Sequence, residues 1–322
     1  MSLLRMKAVG SFFLATLLSA ATWAVNPVSP GTLNYVEGNA SVGNEAVTNK
    51  SVGEVTLAPG QNLSTSNNGK AEILLTPGVF LRLDGNSSVK MLSPDLTNTA
   101  VELDRGRAMI EVDDIHKENN LRVNEDGVQT RLLKKGLYDF DADQGQVRVD
   151  KGQAKILSGD RAVKVDSHQM VDLRKDEGKL KRQKFDPKQY EGDLYAFSRL
   201  RSQYLAQASD ESSRVYVETG YGWGPGWWWD PWFGAYTYFP AGGFLYSPFG
   251  WGFYSPVAWY GGWAVPVHPV YNGHSFGPGW HAPVPAGRPA IHPTARPGFV
   301  GGFHGTSLGH GGFGGVGFHG VR

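Results

Sequence analysis

From Ala71 to Asp113 the chain alternates apolar and polar residues with a period of two, in runs of five or six, with turn-forming residues between runs. AEILLT (71–76), VFLRLD (79–84), SVKML (88–92), AVELD (100–104) and AMIEVD (108–113) each put every second side chain on one face, the pattern of a half-buried strand. Pro77-Gly78, Asp84-Gly85-Asn86, Pro94-Asp95 and Asp104-Arg105-Gly106 separate them and allow tight chain reversal. The pattern resumes in LRVNEDG, GLYDFDADQG, QVRVDKGQAKIL, RAVKVD and QMVDL. Strands this short and this regularly spaced predict a mainly β domain over residues 30–175, built as a short-strand twisted solenoid or a sandwich. AVELDRGRAMIEV and GQVRVDKGQAKIL echo each other as strand, acidic residue, basic residue, Gly, strand. Two copies do not establish a repeat architecture.

The flanks differ from this middle. Arg5 and Lys7 precede an apolar run from Ala8 to Ala21, followed by the small residues of SAATWA. That order predicts a secretory signal peptide over residues 1–24, cleaved after Ala24 or after Ala21. The run is shorter than the roughly 20 residues that span a bilayer, so no transmembrane helix is expected after signal removal. The chain has no cysteine, which excludes disulfides and thiolate chemistry. Export without disulfides points to the periplasm or cell surface of a bacterium. Lys and Arg number 31 against 30 Asp and Glu, and losing Arg5 and Lys7 with the leader takes the net charge from +1 to −1. Such a balance argues against general nucleic-acid binding. The one basic run, KLKRQK (179–184), reads as a solvated connector.

After the β segment, Asp186-Pro187 is a helix start signal. Tyr190, Leu194, Phe197, Arg201 and Tyr204 follow at helical spacing. One amphipathic helix over 187–208 is predicted, its stripe packed on the open face of the β-domain. SDESSR (209–214) reads as a hinge and VYVETGYG (215–222) as a last strand. Residues 215–322 then read as a low-complexity Gly/aromatic/Pro tail, partly disordered. From Gly220 on there are only four charged residues, Asp230, Arg288, Arg296 and Arg322, yet every tryptophan after the leader. Aromatic rings on glycine-rich backbone suit stacking and interface contacts. Trp223, Trp227, Trp228, Trp229, Trp232, Tyr236 and Tyr238 are therefore the candidate binding residues.

No nucleophile elbow, zincin helix or phosphate loop occurs, so no enzyme is expected, and no cofactor. Asp113-Asp114 with His116 reads as a solvated turn. Asp139, Asp141 and Asp143 have the alternation of a calcium loop without its Gly and distal Glu. The tail histidines, His268 to His319, lie six to twelve residues apart, too widely spaced for a zinc site to be assigned.

The run VTLAPGQNLSTSNNGKAEILLTPGVFLRLDGNSSVKMLS, then VELDRGRAMIEV, resembles the FecR-type periplasmic domain. Asn68-Gly69, Leu81, Leu83, Ser87 or Ser88, and Leu103 with Gly106 occupy the family's loop, strand and turn positions over roughly residues 30–175. The resemblance implies a β-domain and an envelope location. A full FecR-type regulator has a cytoplasmic anti-sigma region before a membrane helix, whereas six or seven residues precede the apolar run here. Leu133-Lys134-Lys135-Gly136 also departs from the family's second-half pattern. The expected function is a non-catalytic exported envelope protein that scaffolds or binds a ligand or partner. The alternatives are a FecR-type periplasmic signalling component and a polysaccharide-binding protein using the tail aromatics. Expected partners are an envelope protein or a polysaccharide, with self-association as a further option.

Overall fold

The computed structural model describes residues 28–174, 180–219 and 222–260. The leader and the histidine-bearing end of the tail lie outside the described residues.

Two sheets face each other. The eight-stranded sheet runs, in spatial order, β1 (Leu33–Glu37), β5 (Lys70–Leu74), β6 (Val79–Leu83), β9 (Arg107–Val112), β12 (Gly136–Asp141), β13 (Gln146–Lys151), β16 (Gln169–Asp172) and β17 (Arg182–Lys184). The nine-stranded sheet runs β15 (Arg161–Asp166), β14 (Gln153–Ser158), β11 (Val128–Leu132), β10 (Arg122–Glu125), β8 (Asn98–Arg105), β7 (Ser88–Asp95), β4 (Asn62–Thr65), β2 (Ala40–Val42) and β3 (Glu45–Val47). The chain alternates between the sheets, mostly two strands at a time: β5–β6, then β7–β8 opposite, and again β12–β13, β14–β15, β16–β17. Neighbouring strands pair antiparallel except β8 with β10, which run parallel. The core lies between the sheets, where Ile73, Leu81, Ile110, Phe140 and Val147 meet Leu63, Val89, Val101, Val123 and Ile156.

The sequence echo marks two places where a strand passes from one sheet to the other. Gly106 separates β8 from β9, and Gly152 separates β13 from β14. Both have positive φ, +73° and +102°. A Cβ on Gly106 would sit 2.7 Å from Ser87 Cα, and one on Gly152 would sit 2.4 Å from the Tyr138 hydroxyl. These corners demand a left-handed residue without a side chain.

The middle of the eight-stranded sheet is buried on both faces, which departs from the half-buried strands expected. Every residue of β6 and of β12 is buried. Val79, Leu81 and Leu83 point into the sandwich, while Phe80 and Arg82 point outward beneath a second layer. That layer begins with α1 (Asp193–Thr219). Asp186 caps only a single 3-10 turn over Pro187–Tyr190, accepting from the Lys188 amide at 3.2 Å, and the α-helix starts after Gly192. The stripe does pack on the sheet, through Leu194, Phe197 and Leu205. The expected hinge, 209–214, is helix, and so is Val215–Thr219 of the expected strand. The helix persists because its polar residues there are interface residues: Ser209 and Ser213 are buried, and small side chains permit close approach.

Two hairpins complete the layer, β18 (Gly226–Asp230) with β19 (Ala235–Phe239) and β20 (Phe244–Tyr246) with β21 (Gly252–Tyr254), followed by the short helix α2 (Val257–Tyr260). They pack Tyr238 and Phe253 with Leu74 and Phe80 of the sheet and Leu205 of α1. Residues 222–260 thus belong to the folded body, where the sequence suggested a separate tail. The basic run supplies β17, an exposed edge strand.

Candidate binding surface

The first hairpin carries most of the candidate aromatics. Its register pairs Trp227 with Tyr238 and Trp229 with Tyr236 across the strands. Trp227 and Trp229 share one face, so position along the hairpin decides which rings are covered. Trp227 is half-buried, edge-on to Phe80 at 5.1 Å between ring centroids, and Tyr238 is 3% exposed. Trp228 stacks on Phe239 at 5.1 Å, meets Tyr216 of α1, and donates its indole N–H to the Gly224 carbonyl at 2.6 Å. Trp229 packs edge-on to Tyr236 at 5.1 Å and lies over Gly53, where a Cβ would come within 2.9 Å of its ring. Trp232, at the hairpin turn, is 71% exposed, and Trp229 is 40% exposed. Trp223 lies half-buried in the loop before β18.

The seven candidates therefore divide. Trp227, Trp228 and Tyr238 are packed into the body, so their rings are not available as a free surface. Trp229 and Tyr236, packed together beside Gly53, and the exposed Trp232 at the turn of the same hairpin make up an open aromatic ledge.

That ledge is fixed by polar contacts. Asp230 Oδ1 accepts from the Trp232 and Phe233 amides at 2.8 and 2.9 Å, closing the turn after Pro231, and its Oδ2 accepts from Ser212 of α1 at 2.7 Å. Asn34 of β1 exchanges two hydrogen bonds with the Tyr236 backbone, at 2.7 and 3.0 Å. Thr237 donates to the Leu205 carbonyl at 2.5 Å. The Tyr238 hydroxyl donates to Asp114 at 2.7 Å, and burial with that carboxylate raises its pKa.

Beneath the hairpins lies a buried ionic network. Arg82, with no exposed surface, donates to Glu72 and Glu111, both at 2.6 Å. Arg201 of α1 reaches Glu72 at 2.8 Å, Ser202 donates to Glu111 at 2.5 Å, and Asn34 donates to Glu72 at 2.9 Å. Burial pushes the Glu72 carboxyl up, but Arg201 and Arg82 outweigh it and hold it below its ordinary value. Asp113 sits beside the network, 2% exposed, with neither carboxylate oxygen hydrogen-bonded. Burial, then the Glu111 charge, push it well above the ordinary range, which favours the neutral acid. Asp113 and Asp114 were expected as a solvated turn. Asp113 is instead interior, because the hairpins cover this end of the sheet, while Asp114 keeps 32% of its side chain exposed and accepts from Tyr238.

Asp139 and Asp141 do share one face, as the alternation implied. Their partners are arginines: Arg148 reaches them at 3.0 and 3.4 Å, and Arg107 reaches Asp139 at 3.0 Å. Asp143 instead accepts from the Gly106 amide at 2.9 Å. Two guanidinium groups occupy the side on which a cation would need free carboxylates.

Asn34, Glu72 and Ser209, which donates to the Tyr238 and Tyr254 carbonyls, were missed by sequence reasoning, and Asp114 was read only as part of a turn. Their hydrogen-bond partners lie from 10 to 202 residues away in sequence, Arg82 for Glu72 and Tyr236 for Asn34 at the extremes, and no local pattern marks them. Arg201 carried a signal, since a cation inside an apolar stripe requires a buried anion.

The alternating sheet pair, covered on one face by a helix and hairpins, is a β-sandwich. The model of the family described as "FecR protein" matches residues 61–156, from the start of β4 into β14, so the chain carries a FecR-type domain. Two crystal structures of a "putative anti-sigma factor" from Parabacteroides distasonis ATCC 8503 match at 15% and 14% identity, with TM-scores of 0.34 and 0.33. Each match covers 39% of this chain and 60% of that one, so the chain spans about three-fifths of those structures. No curated protein matches. Among the described residues, no helix is long and apolar enough to cross a membrane.

Proposed function

We propose that the protein is a non-catalytic, exported envelope protein in which the FecR-type sandwich holds an aromatic ledge for capture of a partner protein. The observation behind this reading is the exposure of Trp232 and Trp229 on a hairpin whose backbone is tied to β1 and α1. Exposed aromatic side chains on rigid backbone lose little conformational entropy on binding, which is why such residues dominate interface energetics. Trp229, Tyr236 and Trp232 are the proposed contact residues, with Trp223 at the margin. Trp227, Trp228 and Tyr238 support them from below.

The test is co-purification from envelope fractions with the full chain and with the Trp229→Ser/Trp232→Ser variant, after confirming that the variant melts like the parent. Loss of a specific envelope partner on substitution supports the reading. An unchanged partner set sinks it.

The FecR family match favours a second reading, a periplasmic signalling component that acts through a partner. It predicts that the captured partner belongs to a signalling assembly and that deleting the gene changes transcription. A polysaccharide partner is a further outcome of the same capture experiment.

A further inference from the structure

The outer face of the nine-stranded sheet carries a feature unrelated to the ledge. Strand register places Arg122 of β10 opposite Arg131 of β11, Arg131 opposite Lys155 of β14, and Lys155 opposite Lys164 of β15. Four cations therefore stand in one row across four adjacent strands. Their inward neighbours Val123, Thr130, Leu132, Ala154, Ile156 and Val165 are buried, so alternation turns all four toward the open face. Lys155 and Lys164 are exposed, and Arg122 and Arg131 are half-buried. The row continues past the sheet edge, where Arg182 of β17, from the basic run, donates to the Lys164 carbonyl at 3.4 Å.

Like charges directly opposite each other in a sheet are destabilising. Here three successive cross-strand pairs are like-charged. Arg122 is steadied only by neutral Asn98, at 2.7 Å. Among the described residues, Arg131, Lys155 and Lys164 make no ion pair. The acidic residues two positions along, Asp166 and Glu102, are engaged by Gln153 at 2.6 Å and Lys90 at 3.2 Å. The fold thus retains a repulsion that an external anion would relieve.

We propose that this face binds a linear acidic polysaccharide laid across the strands. Cations one strand apart repeat every ~4.8 Å, close to one sugar ring of an extended chain. The adjacent row holds the amides of Asn124 and Gln129, donors and acceptors suited to hydroxyl groups. It offers no aromatic ring on which a nucleobase could stack, which disfavours single-stranded nucleic acid. A straight row also matches a linear chain better than it matches a membrane plane.

The experiment is fluorescence anisotropy of a labelled oligogalacturonate with the full chain, at low and moderate salt, beside its neutral methyl ester. Binding of the acid form only, weakened by salt, is expected. Lys155→Glu/Lys164→Glu should lower affinity by at least about tenfold. The same variant should melt close to the parent, because it makes the 131–155 pair opposite in charge while positions 155 and 164 stay like-charged with the sign reversed. Should it melt lower, Lys155→Ala/Lys164→Ala gives the same readout without charge reversal. Trp232→Ala should bind the oligosaccharide like the parent, which separates this site from the ledge. Unchanged binding by both lysine variants, equal binding of the neutral ester, or binding only to an oligonucleotide or to anionic vesicles would each overturn the proposal.

Discussion

Arg201 of α1 and Glu72 of β5 meet at 2.8 Å across the boundary between helix and sheet, with 7% and 0% of their side chains exposed. The contact joins the covering layer to the sandwich. Glu72 also accepts from Arg82 and from Asn34, which holds the Tyr236 backbone. The position of the aromatic ledge is therefore linked to the buried charges through one carboxylate.

Removing one member of a buried pair leaves the other desolvated without compensation. Arg201→Met should destabilise the protein by about 3 kcal/mol or more, read from urea unfolding. Adding Glu72→Gln to Arg201→Met should recover part of the loss, because the remaining Arg82 and Glu111 then balance in charge. If the double variant is no more stable than the single, the pair is not coupled as described.

Glu125 supplies a pH dependence. It is 1% exposed and neither carboxylate oxygen is hydrogen-bonded. Burial, followed by the charges of Asp126 and Asp141, pushes its pKa up to about 8 from an ordinary 4.5. The folded state thus binds more protons than the unfolded state between those values. Its contribution is fully present below the ordinary value and is lost as pH rises toward about 8. Stability should fall across that window by up to about 1.4 kcal/mol per pH unit. Glu125→Gln should flatten this slope and gain stability mainly at the alkaline end. Asp113 contributes a slope of the same sign in both proteins, so the difference between them isolates Glu125. Urea melts at several pH values check it, and parallel curves for the two proteins would refute it.

A packed and an open tryptophan of the first hairpin should behave oppositely. Trp227→Ala strips the ring from Phe80 and should cost about 2–3 kcal/mol, less than a fully buried tryptophan because the side chain is only half-buried. Trp232→Ala should change stability by no more than about 0.5 kcal/mol. Thermal melts of the two single variants decide this, and equal losses would contradict the division into packed and open rings.

Gly106→Ala should lower stability by at least about 2 kcal/mol, since a left-handed alanine is strained and its Cβ would meet the Ser87 backbone. Gly43, also left-handed but with no atom within 4 Å of a built Cβ, isolates the strain component. Gly43→Ala should cost clearly less, and equal costs in chemical denaturation would mean the close approach at the corner is immaterial.

Period-two alternation was sufficient to mark most of the strands from β5 to β16, though not β1 to β4, because which face a strand side chain takes is a local property. The corners at Gly106 and Gly152 were visible as an echo for the same reason, since φ is set residue by residue. The apolar stripe of α1 was legible too, though not its length, because the serines that extend it gain their value from hairpins that follow in sequence. What covers the second face of a sheet is not local. Arg82, Glu72 and Asp139 read as solvent-facing positions until a partner layer closes over them, and only then does mutual pairing make their burial tolerable. The aromatic segment looked like a tail because glycine and tryptophan lack a period. Its rings became packing for Phe80 and Leu205 once the chain folded back. The row from Arg122 to Lys164 spans 43 residues of sequence and exists only through cross-strand register, which is decided by the sheet as a whole.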